Sequence, residues 1–275
     1  MCPNATIPPS AEHPLVSIVT IVYNGRQYLE RAMHSVLQQD YPNVEYIVID
    51  GGSTDGSVNI IEKYASQLAY FTSEPDSGIS NAFNKGLAQC KGEWIGFINA
   101  DDWYTEGALR SVIEASQAAD VVYGKLQFWK GDEAGYAYGA SHERLHLEMT
   151  LNHPATFVRN DLYQRLGFFN EDFRCAMDFE LLLRFRQGGA RFVYLDRVLA
   201  NMQDAGISDQ NWRLGCQEVR KAKDLHLGKR LNHQLWFWKQ TASIRLVRSL
   251  EQSGLSKLLQ FYRSRLAPVS KTKAR

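Results

Sequence analysis

Short apolar runs alternate with amphipathic segments along the first hundred residues of the chain. Runs rich in β-branched residues occupy positions 16–24, 44–50 and 94–98, and a shorter one lies near 68–74. Such runs are typical of strands that are buried on both faces. Between them apolar residues recur at helical spacing, for example Leu29, Ala32, Met33 and Val36. Four strands alternating with three helices predict a mostly parallel α/β sheet with helices on both faces.

The pattern changes in the second half of the chain. Residues 119–129 and 135–140 indicate antiparallel strands, residues 155–159 a further strand, and residues 179–187 a helix. From about residue 212 the sequence is helical and basic, with tryptophan and leucine between lysine and arginine. We therefore expect a flexible leader at 1–14, an α/β domain at 15–211 and a basic helical C-terminal extension at 212–275.

Composition and charge are those of a globular protein whose C-terminal segment is strongly basic. The 275 residues are 44% hydrophobic and 22% charged, enough for a sizeable core. The formal net charge of +1 combines −11 over residues 1–211 (16 Lys/Arg, 27 Asp/Glu) with +12 over residues 212–275 (15 Lys/Arg, 3 Asp/Glu). The basic end suits either packed helices with solvated charges or attachment to an anionic membrane surface. We expect no nucleic-acid partner.

The cysteines and the apolar runs indicate a cytoplasmic location. Cys2, Cys90, Cys175 and Cys216 lie far apart without a Cys-x-x-Cys pair, which argues against a zinc knuckle or a disulfide framework. The first residues lack the basic flank and apolar core of a signal peptide, and no apolar run approaches the roughly 20 residues that span a bilayer. Any membrane contact should therefore be peripheral, on the inner face.

Two adjacent acids, Asp101 and Asp102, follow the apolar run in GEWIGFINADDWYTEGAL, residues 92–109. Ligands bind at the carboxyl ends of strands in open α/β sheets, and hard divalent cations take carboxylates completed by substrate phosphates. We expect a helix to begin at Thr105. The alternative is a polar turn with Asp102 near the start of that helix.

Asp50 ends the second apolar run and is followed by GGSTDGS, whose three glycines let backbone approach a ligand closely. A nucleotide base or ribose could bind to such a carboxylate, whereas Asp55 is better explained as the cap of the next helix. Further on, SEPDSGISNAFNKG at 73–86 surrounds a helix start, which attracts anions such as phosphates. A capped surface helix is the alternative. The dinucleotide fingerprint Gly-x-Gly-x-x-Gly and the Walker lysine motif are both missing.

Six ordered segments together resemble the family-2 glycosyltransferases of the GT-A fold, inverting enzymes that use nucleotide-diphosphate sugars. They are SIVTIVYN, IVIDGGSTDGS, EPDSGISNAFNKG, GEWIGFINADDW, HPATFVRNDLYQRLGFFNEDF and CAMDFELLLRF, and the resemblance covers about residues 15–210. It implies a Rossmann-like, mostly parallel sheet flanked by helices, with a nucleotide-binding half at about 15–105. A mixed, acceptor-side half would follow at about 106–211.

The resemblance also implies a donor site. It places Tyr23, Asn24 and Asp50 at the nucleoside, the segment from Asp76 through Gly78 and Asn84 to Lys85 around the donor pocket, and Asn99, Ala100, Asp101 and Asp102 at the Asp-x-Asp motif. Asp101, with Asp102 beside it, would bind a divalent metal, Mn or Mg. Asn99 stands where the family often has Asp, so it would be a weaker first ligand, and contact through water or ribose becomes an alternative.

A catalytic base is implied at Asp178, where Met177 and Asp178 replace the family's frequent Glu-Asp pair. The acceptor hydroxyl must lose a proton as it attacks the anomeric carbon, and a positioned carboxylate can accept it. Asp178 could instead cap its helix, and Glu180 is the alternative base. His153 is implied near the reacting sugars, with a structural role as the alternative. The segment 205–210, preceded by Asp204 in place of the usual glycine, is implied to be a lid over the donor.

We therefore predict an inverting, metal-assisted glycosyltransferase of the hexosyltransferase class. It would move a sugar from a UDP-type donor to a hydroxyl of a glycan or lipid-linked acceptor, in exopolysaccharide or cell-surface glycan assembly. One alternative is a noncatalytic nucleotide-sugar-binding module. Another is a sugar nucleotidyltransferase, although SIVTIVYNGRQYL lacks the glycine-rich, arginine-containing loop of such enzymes. The sequence leaves open the sugar, the acceptor, the linkage and the oligomeric state.

Overall fold

The computed structural model describes residues 13–203 and 211–253. Its strands are β1 Val16–Val22, β2 Val44–Asp50, β3 Tyr70–Ser73, β4 Trp94–Phe97, β5 Trp103–Tyr104, β6 Val121–Lys130, β7 Glu133–Tyr138, β8 Thr156–Arg159 and β9 Phe192–Gln203. Its helices are α1 Arg26–Leu37, α2 Ser57–Lys63, α3 Ile79–Leu87, α4 Ala108–Glu114, α5 Asn160–Leu166, α6 Met177–Gln187, α7 Trp212–His226 and α8 Leu231–Gln252. The predicted leader lies mostly, and the predicted lid entirely, outside the described residues.

The strands form one sheet in the order β3-β2-β1-β4-β8-β6-β9-β5, with β7 paired to β6. Strands β1 to β4 are parallel, so they all end at the same side of the sheet, which we call the carboxyl end. Strand β8 runs antiparallel to β4, with Phe157 opposite Gly96. The residues just before β8 therefore also lie at the carboxyl end of the sheet.

Both faces of the parallel strands are buried, which explains the continuous apolar runs in the sequence. On one face Ile18 and Val48 pack in a core with Met33 of α1. On the other face Val19 and Ile47 share a core with α3 and α6. The predicted GT-A arrangement of a mostly parallel sheet flanked by helices, with a mixed second half, is confirmed.

The predicted start of a helix at Thr105 is wrong. Strand β5 occupies Trp103–Tyr104, and α4 begins only at Ala108. The hydroxyl of Thr105 donates to the carbonyl of Val198 at 2.7 Å, and its N–H donates to the carbonyl of Leu199 at 2.9 Å. Because Thr105 is hydrogen-bonded to strand β9, the helix begins only after this residue. The spacing of apolar residues around Thr105 does not indicate that long-range pairing. Strand β9 and helix α5 were not predicted either.

The C-terminal helices contact the rest of the protein. Lys223 of α7 donates to the carbonyl of Leu147, and His226 of α7 lies 2.6 Å from Glu180 of α6. Helix α8 packs on α7, where His233 lies 2.8 Å from Asp224. Within residues 13–203 and 211–253, no helix has both the length and the hydrophobicity needed to cross a bilayer.

Candidate active site

The loops after β1 and β2 are joined by hydrogen bonds at the carboxyl end of the sheet. Asn24 adopts a left-handed backbone conformation, with φ of 51°. Its N–H donates to Oγ of Ser53 at 2.7 Å, and its Oδ1 accepts the N–H of Thr54 at 2.9 Å. A side-chain amide that bonds locally favours this conformation, so Asn24 fixes the two loops to each other.

Asp50 is fully buried, and only one of its carboxylate oxygens is satisfied by the protein. Oδ2 accepts the N–H groups of Gly52 at 3.0 Å and Ser53 at 2.9 Å, and the hydroxyl of Ser73 at 2.6 Å. Oδ1 is buried without a partner. A buried acceptor without a donor costs free energy, so an N–H or O–H from a ligand would stabilise this site.

The side chains of Asp76 and Tyr23 meet beside Gly51. A Cβ added at Gly51 would lie 2.5 Å from Oδ2 of Asp76 and 3.5 Å from Cδ2 of Tyr23. Asp76 also accepts the N–H of Gly78 at 2.8 Å, just before α3. The ring of Tyr23 is 69% exposed. An open aromatic ring and a carboxylate therefore flank the glycine loop that follows Asp50.

Asp101 and Asp102 form an acidic pair directly after β4. Asp102 is fully buried; its Oδ2 accepts Nδ2 of Asn99 at 3.2 Å, and its Oδ1 has no partner. Burial, reinforced by the charge of Asp101, raises the pKa of Asp102 well above its usual range. Burial also raises the pKa of Asp101. Both carboxylates are therefore hard to ionise without a nearby cation.

Arg31 of α1 supplies part of that positive charge, and sequence reasoning missed it. Its guanidinium lies 3.5 Å from the ring centroid of Trp103, and Nη2 donates to the carbonyl of Asp101 at 3.4 Å. Its charge opposes the rise in pKa of both acids. No local motif marks this arginine, because the contact depends on how α1 packs beside β5.

The two carboxylates of the acidic pair suit a divalent cation that takes its remaining ligands from substrate and water. Across the described part of the chain, no three His, Cys, Asp or Glu side chains converge as a metal cage. The donor set is two neighbouring carboxylates, one with an unpartnered oxygen. Mg²⁺ and Mn²⁺ take one or two carboxylates and complete their shell with phosphate oxygens and water, so the predicted metal role of Asp101 and Asp102 agrees with these donors.

Three of the other predicted donor-site residues already have protein contacts. Both amide atoms of Asn84 bond the backbone of Phe169 at 3.0 Å. Nζ of Lys85 donates to the carbonyl of Pro75 at 3.0 Å and lies 2.7 Å from Glu74. A Cβ added at Gly25 would lie 3.0 Å from Cβ of Ala100, so Ala100 packs beneath the first loop. Direct ligand contact by these side chains stays a prediction.

His153 lies in an aromatic cluster just before β8. The centroid of its ring is 5.1 Å from that of Phe97, 5.0 Å from Phe83 and 5.7 Å from Phe169. Burial lowers the pKa of His153 to about 4. The imidazole is therefore neutral at pH 7 and can act by hydrogen bonding but not by charge. The antiparallel course of β8 places it beside the end of β4.

Asp178 lies in the first turn of α6, where its Oδ1 accepts the N–H of Phe179 at 2.7 Å. Burial raises its pKa to about 6, the charge of Glu218 adds to the rise, and the Phe179 N–H opposes it. A carboxylate with a pKa near the working pH suits a general base. Glu180, the alternative base, is buried and bonded to Arg184 at 3.0 Å and to His226 at 2.6 Å. These bonds favour Asp178.

A groove of about 290 Å³ lies between the start of α3 and the loop that leads into α6. The two sides are joined because the hydroxyl of Ser80 donates to the carbonyl of Phe173 at 2.7 Å. The groove is lined by Ser77, Gly78, Ile79, Ser80, Asn81, Glu171, Phe173 and Arg174. It therefore connects the donor-side helix predicted from the sequence with the segment that carries Asp178.

The predicted cap role of Asp55 agrees with its contacts. Oδ1 of Asp55 accepts the N–H and the hydroxyl of Ser57, the first residue of α2. Its Oδ2 accepts the N–H of Arg26 at 2.9 Å. Asp55 thus closes the start of α2 and links it to α1, although Gly56 occupies the cap position itself.

The fold is the one shared by glycosyltransferases of the GT-A type. A mannosyltransferase from Pyrobaculum calidifontis in complex with GDP-Man and Mn²⁺ superposes with a TM-score of 0.65 at 18% identity, covering 92% of this chain and 80% of that one. TarS 1–349 of S. aureus in complex with UDP-GlcNAc superposes with a TM-score of 0.62 at 18% identity, covering 86% of this chain and 73% of that one.

The sequence comparisons identify the family. A profile of Glycosyl transferase family 2 matches residues 17–186, so the chain belongs to this family of transferases. An uncharacterized glycosyltransferase of Rickettsia typhi is 30% identical over 203 residues, which are 66% of this chain and 61% of that protein. The chain thus matches about three fifths of the length of that relative.

Proposed function

We propose that the protein is an inverting glycosyltransferase that moves a sugar from a nucleotide-diphosphate donor of the UDP type to a hydroxyl group. The observation that supports this most is the pair of orphaned, buried carboxylate oxygens, on Asp50 and Asp102, at the same end of the sheet. The unpartnered oxygen of Asp50 can accept a hydrogen bond from a base or ribose. The unpartnered oxygen of Asp102 lies in an acidic pair suited to a cation beside a diphosphate.

The proposed reaction is a single displacement. The acceptor oxygen forms a bond to the anomeric carbon of the donor as the bond from that carbon to the diphosphate oxygen breaks. The hydroxyl proton passes to the carboxylate of Asp178, and the nucleoside diphosphate leaves with the electron pair. Because the attack comes from the side opposite the leaving group, the anomeric configuration inverts. His153 would contribute a neutral hydrogen bond near the reacting groups.

A divalent metal held by Asp101 and Asp102 would offset the negative charge that develops on the leaving diphosphate. Arg31 lies beside the same two carboxylates and supplies a positive charge there even without a ligand. Tyr23 would cover the base, and Asp76 would lie beside the ribose or the phosphates at Gly51. The complexes of the two structural neighbours with UDP-GlcNAc and with GDP-Man and Mn²⁺ support this class of donor.

The acceptor is proposed to be a growing glycan or a lipid-linked sugar at a cell-surface assembly pathway. Helix α8 supports a location on the inner face of an anionic membrane. Its outward side presents Leu231, Leu235 and Trp238, which are 75%, 60% and 58% exposed and recur at i, i+4 and i+7. Arg230 and Lys239 flank this row, and apolar and basic groups on one helix surface suit an interfacial site.

The donor proposal is tested with the full chain, without knowing the acceptor. Thermal unfolding is measured with UDP-glucose, UDP-GlcNAc and GDP-mannose, each with and without MnCl₂, since a ligand that binds the native state raises the melting temperature. Release of UDP or GDP is then measured for the wild type and for Asp178→Asn. We expect one donor class to stabilise the protein and to be turned over only by the wild type.

Controls separate the outcomes. Asp161→Asn removes an exposed acid on α5 and should behave as wild type. Stabilisation by nucleotide sugars with equal, negligible turnover in all variants would indicate a binding module instead of an enzyme. No stabilisation by any donor, with or without manganese, would contradict the proposal as a whole.

The membrane proposal has its own test. Cosedimentation is measured with vesicles of phosphatidylcholine alone and of phosphatidylcholine mixed with phosphatidylglycerol. Trp238→Glu should abolish binding to the anionic vesicles, whereas Gln240→Glu adds the same charge on another side of α8 and should keep most of it. Equal binding to both kinds of vesicle, or none, would refute the anionic surface as partner.

A further inference from the structure

The carboxylate of Glu218, on α7, binds three consecutive backbone N–H groups at the start of α6. Oε1 accepts the N–H of Arg174 at 2.9 Å, and Oε2 accepts those of Cys175 at 2.8 Å and Ala176 at 2.9 Å. The side chain is only 5% exposed. Both oxygens are used, so the carboxylate is fixed in orientation and the loop is fixed against it.

The hydrogen bonds of Glu218 are strengthened by their position at the start of α6. Of the three N–H groups, that of the cap residue Ala176 belongs to the start of the helix, where N–H groups have no intrahelical partner and the helix dipole favours a negative charge. An ionised carboxylate accepts from several N–H groups, in bonds that are shorter and stronger than neutral ones. Ala176 is the cap residue of α6, and Asp178 follows two positions later. Glu218 therefore sets the direction in which the first turn of α6 begins.

The loop that Glu218 binds also forms one wall of the groove. Phe173 and Arg174 line it, and Phe173 is bound from the opposite side by Ser80 of α3. Lys221, one turn from Glu218 on α7, lies 4.5 Å from the ring centroid of Phe173. The segment between the groove and Asp178 is thus held from two sides, by α3 and by α7.

The charge of Glu218 acts on Asp178 in addition to the geometry. Burial is the main cause of the raised pKa of Asp178, and the charge of Glu218 makes a smaller contribution in the same direction. The thiol of Cys175 also faces both carboxylates, and its pKa is raised by burial and by the charges of Glu218 and Asp178. The N–H of Phe179, on α6 itself, acts in the opposite direction.

We propose that Glu218 is a positioning residue for the transfer reaction: it holds the first turn of α6, which carries Asp178, against the loop that lines the groove. This inference rests on the proposed function, because it assigns Asp178 the role of proton acceptor. Glu218 lies forty residues beyond Asp178 in the sequence, outside the segment matched by the family profile.

The test compares wild type, Glu218→Gln and Asp224→Asn. Glutamine keeps the shape and one accepting oxygen but loses the charge, whereas Asp224→Asn removes a charge from the same helix at its contact with His233. The pH titration of the Asp178 carboxyl carbon is followed by NMR, with Asp178→Asn to assign the signal. Turnover is followed as UDP or GDP release from UDP-GlcNAc and GDP-mannose across pH 4.5–8.

In Glu218→Gln we expect the pKa of Asp178 to fall, the acidic limb of turnover to move to lower pH, and kcat to drop by roughly 10- to 100-fold, since small misplacements of a reacting group have effects of this size. The donor KM should stay within about twofold because Glu218 is not expected to touch the donor. Asp224→Asn should match wild type in every respect.

An unchanged titration of Asp178 in folded Glu218→Gln, or a kcat equal to that of wild type, would overturn the proposal. If Glu218→Gln fails to fold, as judged by circular dichroism, Glu218→Asp replaces it; the shorter carboxylate keeps the charge, so kcat should fall while the limb stays near its wild-type pH. A wild type that turns over neither donor would refute the proposed function, and the NMR titration alone would then decide the role of Glu218.

Discussion

The carboxylate of Asp76 lies against the bare α-carbon of Gly51, so close that a Cβ at position 51 would stand 2.5 Å from Oδ2. That separation is well inside van der Waals contact. Asp76 is also bonded to the N–H of Gly78 at 2.8 Å, so its carboxylate has little freedom to move aside. The absence of a side chain at Gly51 is therefore what allows the loops after β2 and β3 to converge.

Gly51→Ala should weaken donor binding, because Asp76 must turn away from the loop that follows Asp50. We expect the donor KM to rise about 10-fold or more, with a smaller change in kcat, since the loss falls on ground-state binding. The measurement is a titration of the best donor in nucleotide release. Gly139→Ala is the control, because its added Cβ would meet only the hydroxyl of Tyr194 at 3.7 Å. Equal KM values for the two variants would contradict this account.

The pH dependence of turnover should follow Asp178. Its pKa is raised to about 6, so the base is ionised above this pH and is lost by protonation as the pH falls below it. A plot of log kcat/KM should therefore bend near pH 6 and decline toward pH 4.5. His153, with its pKa lowered to about 4, is already neutral across that range. If the bend moves when His153 is replaced by glutamine, the bend reports His153, and its assignment to Asp178 is wrong.

Asp178→Asn should lower turnover by about 10²- to 10⁴-fold while raising the thermal stability at pH 7. The first effect is the usual size of a general base contribution. The second follows from linkage: the pKa of Asp178 is higher in the folded protein than in the unfolded chain, so folding stability decreases as the pH rises from about 4 through 6. The neutral amide avoids that decrease. Melting temperatures at pH 4.5 and 7.5 should differ more for wild type than for Asp178→Asn.

Divalent metal should bind with the diphosphate and more tightly at higher pH. Burial raises the pKa of both Asp101 and Asp102, so protons compete with the ion as the pH falls. Manganese should raise the melting temperature in the presence of UDP or GDP, and the increment should shrink between pH 8 and pH 5. Asp101→Asn should remove it, whereas Asp132→Asn on the β6–β7 turn should not. A manganese effect that persists in Asp101→Asn would place the ion elsewhere.

Much of the fold could be predicted because the first half of the chain is locally consistent. Apolar runs without alternation can satisfy only strands buried on both faces, and the intervening helical spacing covers those faces. The short strand β5 escaped prediction because it depends on its pairing with β9, and the long strand β9 in turn pairs along most of its length with β6, which is distant in the chain. Trp103 pairs with Asn201 across nearly a hundred residues, and the adjacent charges of Asp196 and Arg197 interrupt the apolar residues of β9.

Some residues of the candidate site could likewise be predicted from the sequence, whereas others could not. Asp50 and Asp101 were proposed because each follows a buried strand, where sequence pattern and chemistry coincide, and Asp178 because the family resemblance implied it; their roles stay predictions. The roles of Arg31 and Glu218 were not found, since neither belongs to a local motif. Arg31 reaches the acidic pair from the side of α1, and Glu218 reaches the start of α6 from α7.

The sequence by itself determined the order of the first four buried strands and of the helices between them, the family of the enzyme and the acids at the carboxyl end of the sheet, because these depend on hydrophobic period and on short motifs. Only the tertiary structure decided which charges face those acids, which carboxylate oxygens remain without a partner, and how strongly burial raises each pKa. These properties arise from contacts between residues distant in the chain and from the exclusion of water around them, and neither is encoded in any single segment.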